Sequence, residues 1–163
     1  MKSFCLAALL LFAQSPQQTN ILTVEQVLSW RAYYGLALDK DVSEAIGVFG
    51  EPNESGRSSR TWNPSPRTGF RRILVNLGPS PTRGPATVLR VTIYPHPSDV
   101  LAVQELLHSP EKFIFESGTN KQGSYFSAET RDREIRLVYL CGPGHDPQLQ
   151  SITLKSGAPT DPL

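Results

Sequence analysis

Thr87-Val88-Leu89-Arg90-Val91-Thr92-Ile93-Tyr94 decides the fold class of this chain. β-Branched and aromatic residues fill the stretch, and apolar and polar positions alternate, as in a strand with one face buried. The alternation predicts Leu89, Val91 and Ile93 on one side, with Val88, Arg90, Thr92 and Tyr94 on the other. Just upstream, residues 71–77 repeat the pattern: Ile73, Val75 and Leu77 face one way, and Arg72, Leu74 and Asn76 the other. If these two strands pair, Arg72 and Arg90 project on the same side. Residues 78–85, rich in proline, form the connection between them.

Further strands follow the same logic downstream: a short one at 113–116, then 125–129, 134–141 and 149–155. Thr130-Arg131-Asp132 and Gly142-Pro143-Gly144-His145-Asp146-Pro147 break them. Upstream, residues 53–69 read as a polar loop interrupted by a short strand around Trp62. Helices precede the strands. Thr23-Val24-Glu25-Gln26 has the form of a capping box, and Gly35 suits the end of the helix it opens. A second helix starts at Asp39 or Asp41, carries Val42, Ala45, Ile46 and Phe49 at helical spacing, and stops at Gly50-Glu51-Pro52. Pro97-Ser98-Asp99 opens a third, with Val100, Leu101, Val103, Leu106 and Leu107 as its apolar face and Pro110 beyond its end.

The expected class is therefore α+β: a two-layer arrangement of an antiparallel sheet with two or three helices on one face. It suggests a tandem repeat of one helix and three strands, over residues 36–95 and 96–155. Leu74-Val75-Asn76-Leu77-Gly78-Pro79 is matched by Leu137-Val138-Tyr139-Leu140-Cys141-Gly142-Pro143. Chance order in an α+β domain is the alternative.

Gly35, Val42, Ile46, Phe49-Gly50-Glu51-Pro52 and Trp62 resemble the pattern of small bacterial envelope modules. In that pattern two short helices end on Gly-x-Pro and an aromatic opens a three-stranded sheet. Outer-membrane-assembly lipoproteins of the SmpA/OmlA type share the module, as do proteins like the β-lactamase inhibitor protein. The resemblance covers about thirty residues. It implies an envelope or secreted protein-binding module without catalysis, and carries over no partner.

The N-terminus implies export. Lys2 precedes the ten-residue apolar run 4–13, and Gln14-Ser15-Pro16 follows, the order of a secretory signal peptide. Ten apolar residues reach about 15 Å as a helix, against about 30 Å of bilayer hydrocarbon, so a retained anchor is not expected. The expected organisation is a signal peptide at 1–13, a polar leader at 14–20, one domain at 21–155 and a disordered tail at 156–163. With Cys5 in the signal, Cys141 is left alone and no internal disulfide can form.

Net charge is +1, which gives no general attraction to nucleic acid. The charges are nonetheless segregated. Residues 55–98 hold seven arginines (Arg57, Arg60, Arg67, Arg71, Arg72, Arg83, Arg90) and no Asp or Glu, while both flanks are acidic. Arginine's planar fork binds carboxylate, phosphate or sulfate bidentately, and with aromatic neighbours it makes interface hot spots. Arg57, Arg60, Trp62, Arg72, Arg90 and Tyr94 are therefore the candidate binding residues, for a protein or an anionic envelope component. The alternative is a solvated sheet face whose arginines pair with the acidic flanks.

Catalytic signals are weaker. Cys141 and His145 lie four apart across Gly-Pro-Gly, an arrangement that can serve a small thiol enzyme or secreted hydrolase. A strand-end cysteine followed by a loop histidine is the plainer reading, and a purely structural envelope domain is a third. His96, His108, His145, Asp99 and Asp146 have no metal-ligand spacing, no Gly-x-Ser-x-Gly is present, and no cofactor is implied.

Overall fold

The computed structural model describes residues 19–65, 67–79, 86–121 and 123–156. The expected signal peptide, most of the leader, Arg83 and the tail beyond Ser156 lie outside them. The first helix, α1 (Val24–Tyr34), begins on the expected capping box. The Thr23 hydroxyl accepts from the Gln26 N–H at 3.2 Å, and the Gln26 side chain accepts from the Thr23 N–H at 2.8 Å. Gly35 caps it and starts one 3₁₀ turn, Gly35–Ala37. In α2 (Val42–Phe49) the Asp41 carboxylate accepts from the Ser43 N–H at 2.7 Å. The chain leaves this helix through Gly50 at φ +85°, a left-handed conformation that glycine adopts without strain.

The third helix is shorter than its apolar spacing suggests. Asn20–Ile21 forms β1 and pairs in parallel with β6 (Asp99–Val100), so α3 spans only Val103–Leu107. Asp99 does not cap a helix. Its carboxylate accepts from the His96 N–H and from the Asn20 side-chain amide, each at 3.0 Å, and so closes the turn before β6.

The remaining strands form one eight-stranded antiparallel sheet. They are β2 (Glu54–Ser55), β3 (Ser59–Trp62), β4 (Arg72–Gly78), β5 (Thr87–Tyr94), β7 (Phe113–Asn120), β8 (Gly123–Thr130), β9 (Ile135–Cys141) and β10 (Gln148–Lys155). Their order is β2-β3-β4-β5-β10-β9-β8-β7. The fold is thus α+β, as expected. Directly opposed residues of antiparallel strands share a face. One row of such pairs crosses seven strands: Trp62, Ile73, Ile93, Ile152, Leu137, Ala128 and Phe115. All of these except Phe115 are fully buried.

Side chains of the helices reach this inner face. Trp30 and Tyr34 of α1 pack on Phe70, Tyr34 stacks on Phe49 of α2, and Phe49 meets Trp62 at 5.4 Å. At the other end Val24, Val27 and Leu28 of α1 share an apolar gap with Leu101, Leu106, Phe113 and Leu137. Arg31 reaches Glu134, in the β8–β9 turn, at 3.2 Å.

One facing differs from simple alternation. The β4–β5 register shifts between Asn76 and Leu77, so Leu77 opposes Val88 while Asn76 opposes Arg90. Leu89 is the extra residue of a bulge. Val88 is buried, and Leu89, expected beside Val91 and Ile93, is 52% exposed.

Candidate functional site

Antiparallel pairing of β4 and β5 sets Arg72 opposite Tyr94 and Asn76 opposite Arg90. Arg72 and Arg90 therefore share the outer face of the sheet at opposite ends of this stretch, with the Leu74–Thr92 pair between them. The Arg72 guanidinium lies 5.4 Å from the centroid of the Tyr94 ring, within cation–π range. Arg90 sits four residues along β5 from the position opposite Arg72, which separates the two backbones by about 13 Å. One compact anion cannot bridge that span. Two groups on an extended or surface-sized ligand can.

The two halves of this outer face differ electrostatically. On the β7–β10 half, the cations are neutralised: Arg136 meets Glu116 at 3.0 Å, and the Lys155 ammonium is held by Glu129. Glu129 lies on the side of β10 away from β5, so the pair draws Lys155 away from Arg90, its cross-strand neighbour. The other ion pairs among the described residues are Arg31 with Glu134 and Lys112 with Glu25. None involves an arginine of residues 55–98. Arg72 and Arg90 are both exposed and have no carboxylate partner among the described residues.

Three of the six candidate residues are thus brought together: Arg72, Arg90 and Tyr94. The other three are not. Trp62 is fully buried on the inner face, where its indole N–H donates to the Gly50 carbonyl at 2.8 Å, so it offers no surface to a ligand. Arg60 opposes Val75 and therefore shares the inner-face side with Trp62. Its guanidinium folds back on its own turn, donating to the carbonyls of Gly56 at 2.5 Å and Ser59 at 2.9 Å. Arg57 is exposed in the β2–β3 turn. Arg67 is spent on the α2 carbonyl of Gly47.

A second feature has no signature in the linear sequence. A cleft of about 440 Å³ lies where the β5–β6 connection meets the β9–β10 loop. Arg71, Pro97, Asp99, His145, Asp146 and Gln148 are among its lining residues. These residues are far apart in sequence and meet only because β5 and β10 are neighbours, a pairing with no local sequence signal. Cys141 is half-buried at the end of β9, and His145 is exposed in the turn that follows. No hydrogen bond joins the Cys141 thiol to the His145 ring; the His145 backbone N–H donates across the turn to the Gly142 carbonyl at 3.3 Å. Among the described residues no three His, Cys, Asp or Glu side chains converge on one point, and no helix is long and apolar enough to cross a membrane.

Tyr139 is buried on the inner face of β9, and its hydroxyl has no hydrogen-bond partner among the described residues. Burial pushes its ionisation well above the usual tyrosine range. Comparison of the chain with protein-family models, with curated proteins and with solved structures finds no match.

Proposed function

We propose that this chain is an exported, non-enzymatic binding module. The outer face of β4 and β5 takes a protein or an anionic envelope component through Arg72 and Arg90, with Tyr94 as the aromatic beside Arg72. The observation that carries this reading is that, among the described residues, these arginines have no carboxylate partner, while Arg136 and Lys155 on the other half of the same outer face are paired. An unpaired, exposed guanidinium keeps its full capacity for a bidentate partner. The compartment follows from the order of residues 1–16.

The same reading includes the finer architecture, a two-layer tandem repeat with the helices on one face. Its support is topological. β2 to β5 and β7 to β10 are each a four-stranded meander, the first preceded by α2 and the second by α3. The last strand of each meets the other at the centre of the sheet. Thr92 opposes Thr153 there, their hydroxyls 3.4 Å apart, where a two-fold relation between the halves would pass.

Affinity capture from envelope and extracellular fractions tests the function, with the natural protein and the Arg72→Glu/Arg90→Glu variant as baits. A ligand retained at low salt by the natural protein and lost by the variant supports the reading. Equal retention by both refutes it.

A further inference from the structure

The bulge in β5 borders a hollow on the outer face of the sheet. About 420 Å³ lies among Asn76 of β4, Leu89 and Arg90 of β5, Lys155 of β10 and Ser156. Arg90 is opposed directly by Asn76 on one side and by Lys155 on the other. Opposed side chains begin about 5 Å apart, and like charges placed so are destabilising. Two acids stand near. Glu129 holds the Lys155 ammonium, and Asp39 accepts from the Ser156 hydroxyl, but among the described residues no acid lines the hollow itself. Its polar lining is rich in donors: the Asn76 amide, the Arg90 guanidinium and the Lys155 N–H groups that Glu129 leaves over. Leu89 makes the apolar wall. Its side chain lies across Gly78, where a methyl would come within 2.7 Å of it, and it stays 52% exposed.

We propose that this hollow binds the phosphate group of a phosphate ester, whose carbon body rests on Leu89. The inference rests on the reading of Arg90 given above and names the chemistry taken at one end of that face. The donors select phosphate. A carboxylate has two coplanar oxygens, which the fork of Arg90 fills by itself. A tetrahedral phosphate turns further oxygens toward Asn76 and Lys155 on the two neighbouring strands. One such group can reach both Arg90 and Lys155, which oppose each other directly, whereas about 13 Å separates Arg72 from Arg90. An anion between the opposed cations gives them a common partner in place of mutual repulsion. The same head group occurs on soluble esters and on lipids, and the probes below separate the two.

Titration calorimetry with glycerol phosphate, against glycerate as the carboxylate of like size, tests the soluble arm. Co-sedimentation with phosphatidylcholine vesicles containing phosphatidic acid, against vesicles containing oleate, tests the lipid arm. Melting temperature checks that each variant is folded. The expected result is preference for the phosphate probe in at least one arm, and binding only to phosphatidic acid vesicles identifies the lipid as the source. Asn76→Asp sets a carboxylate opposite Arg90 and should weaken phosphate binding by about tenfold or more. Lys121→Gln, in the β7–β8 turn, lowers net charge by the same amount and should change binding by less than about twofold. Absence of binding in both arms overturns the proposal, as does equal binding of the carboxylate probes or equal weakening by Asn76→Asp and Lys121→Gln. The capture experiment with Arg72→Glu/Arg90→Glu decides the wider reading separately. Phosphate binding that Asn76→Asp removes, together with equal capture by both baits, supports this inference and refutes that reading.

Discussion

Replacing Trp62 with Phe separates a structural role for this residue from a binding one. The indole is fully buried, and its N–H is the donor to the Gly50 carbonyl at the end of α2, at 2.8 Å. Phenylalanine removes the donor and leaves that carbonyl buried without this partner, at a cost of about 1–3 kcal/mol. The smaller ring also loses contact with Phe49 and leaves space that its neighbours fill only in part, adding about 1–2 kcal/mol. The combined loss is about 3 kcal/mol, a fall in melting temperature of roughly 10 °C for a chain of this size. Guanidinium unfolding followed by far-ultraviolet circular dichroism measures it, and the Arg72 face should retain its ligand as long as the protein is folded. A loss below about 1 kcal/mol, or loss of ligand at undiminished stability, would refute the placement of Trp62.

Other perturbations follow from single groups. Thr23→Ala removes the hydroxyl that accepts from the Gln26 N–H, while the backbone N–H of residue 23 keeps its bond to the Gln26 side chain, and should lower stability by about 1 kcal/mol in the same unfolding experiment. Gly50→Ala forces a side chain into φ +85° with Arg67 Nε 3.3 Å from the new methyl, and should lower the melting temperature measurably. Tyr139→Phe removes a buried hydroxyl that has no partner among the described residues, so stability near pH 7 should be unchanged or slightly higher. The pH profile should change more. Tyr139 in the unfolded chain ionises near pH 10, while in the folded chain burial keeps it protonated to higher pH. The unfolded state therefore binds fewer protons above about pH 10, and stability falls with rising pH by up to about 1.4 kcal/mol per unit. Urea unfolding between pH 8 and pH 11 should show a shallower fall in Tyr139→Phe, and identical slopes would contradict the burial of its hydroxyl.

Much of the fold was legible because its signals are local. The capping box fixed the start of α1, Asp41 marked α2, and β5 ran the full length of its alternating stretch. Non-local pairing was not legible. Asp99 looks like a helix cap in sequence, but its carboxylate serves the turn beside β1, a two-residue strand with no pattern to announce it. β7 continues through Ser117-Gly118-Thr119-Asn120, where only Thr119 has a strand preference, because the partner strand β8 extends alongside them. Leu89 faces outward because one extra residue bulges from β5, and single-strand periodicity cannot see a register shift.

The candidate site divides along the same line. That Arg72 and Arg90 share a face followed from two alternating strands and their pairing. The sorting of Arg60 and Trp62 onto the inner side needed the register of β3 against β4. An aromatic among arginines reads the same in sequence whether it lies under the sheet or upon it. The distribution of ion pairs, which singles out Arg72 and Arg90, depends on which acids the fold brings near each cation.

Quantitative binding of the captured ligand tests the central claim most directly. It compares the natural protein with Arg72→Glu/Arg90→Glu at low and high salt, with melting temperature as the control. Equal melting temperatures are expected, with binding by the natural protein that weakens as salt rises and no binding by the variant at either salt. Undiminished binding by a folded variant would contradict it.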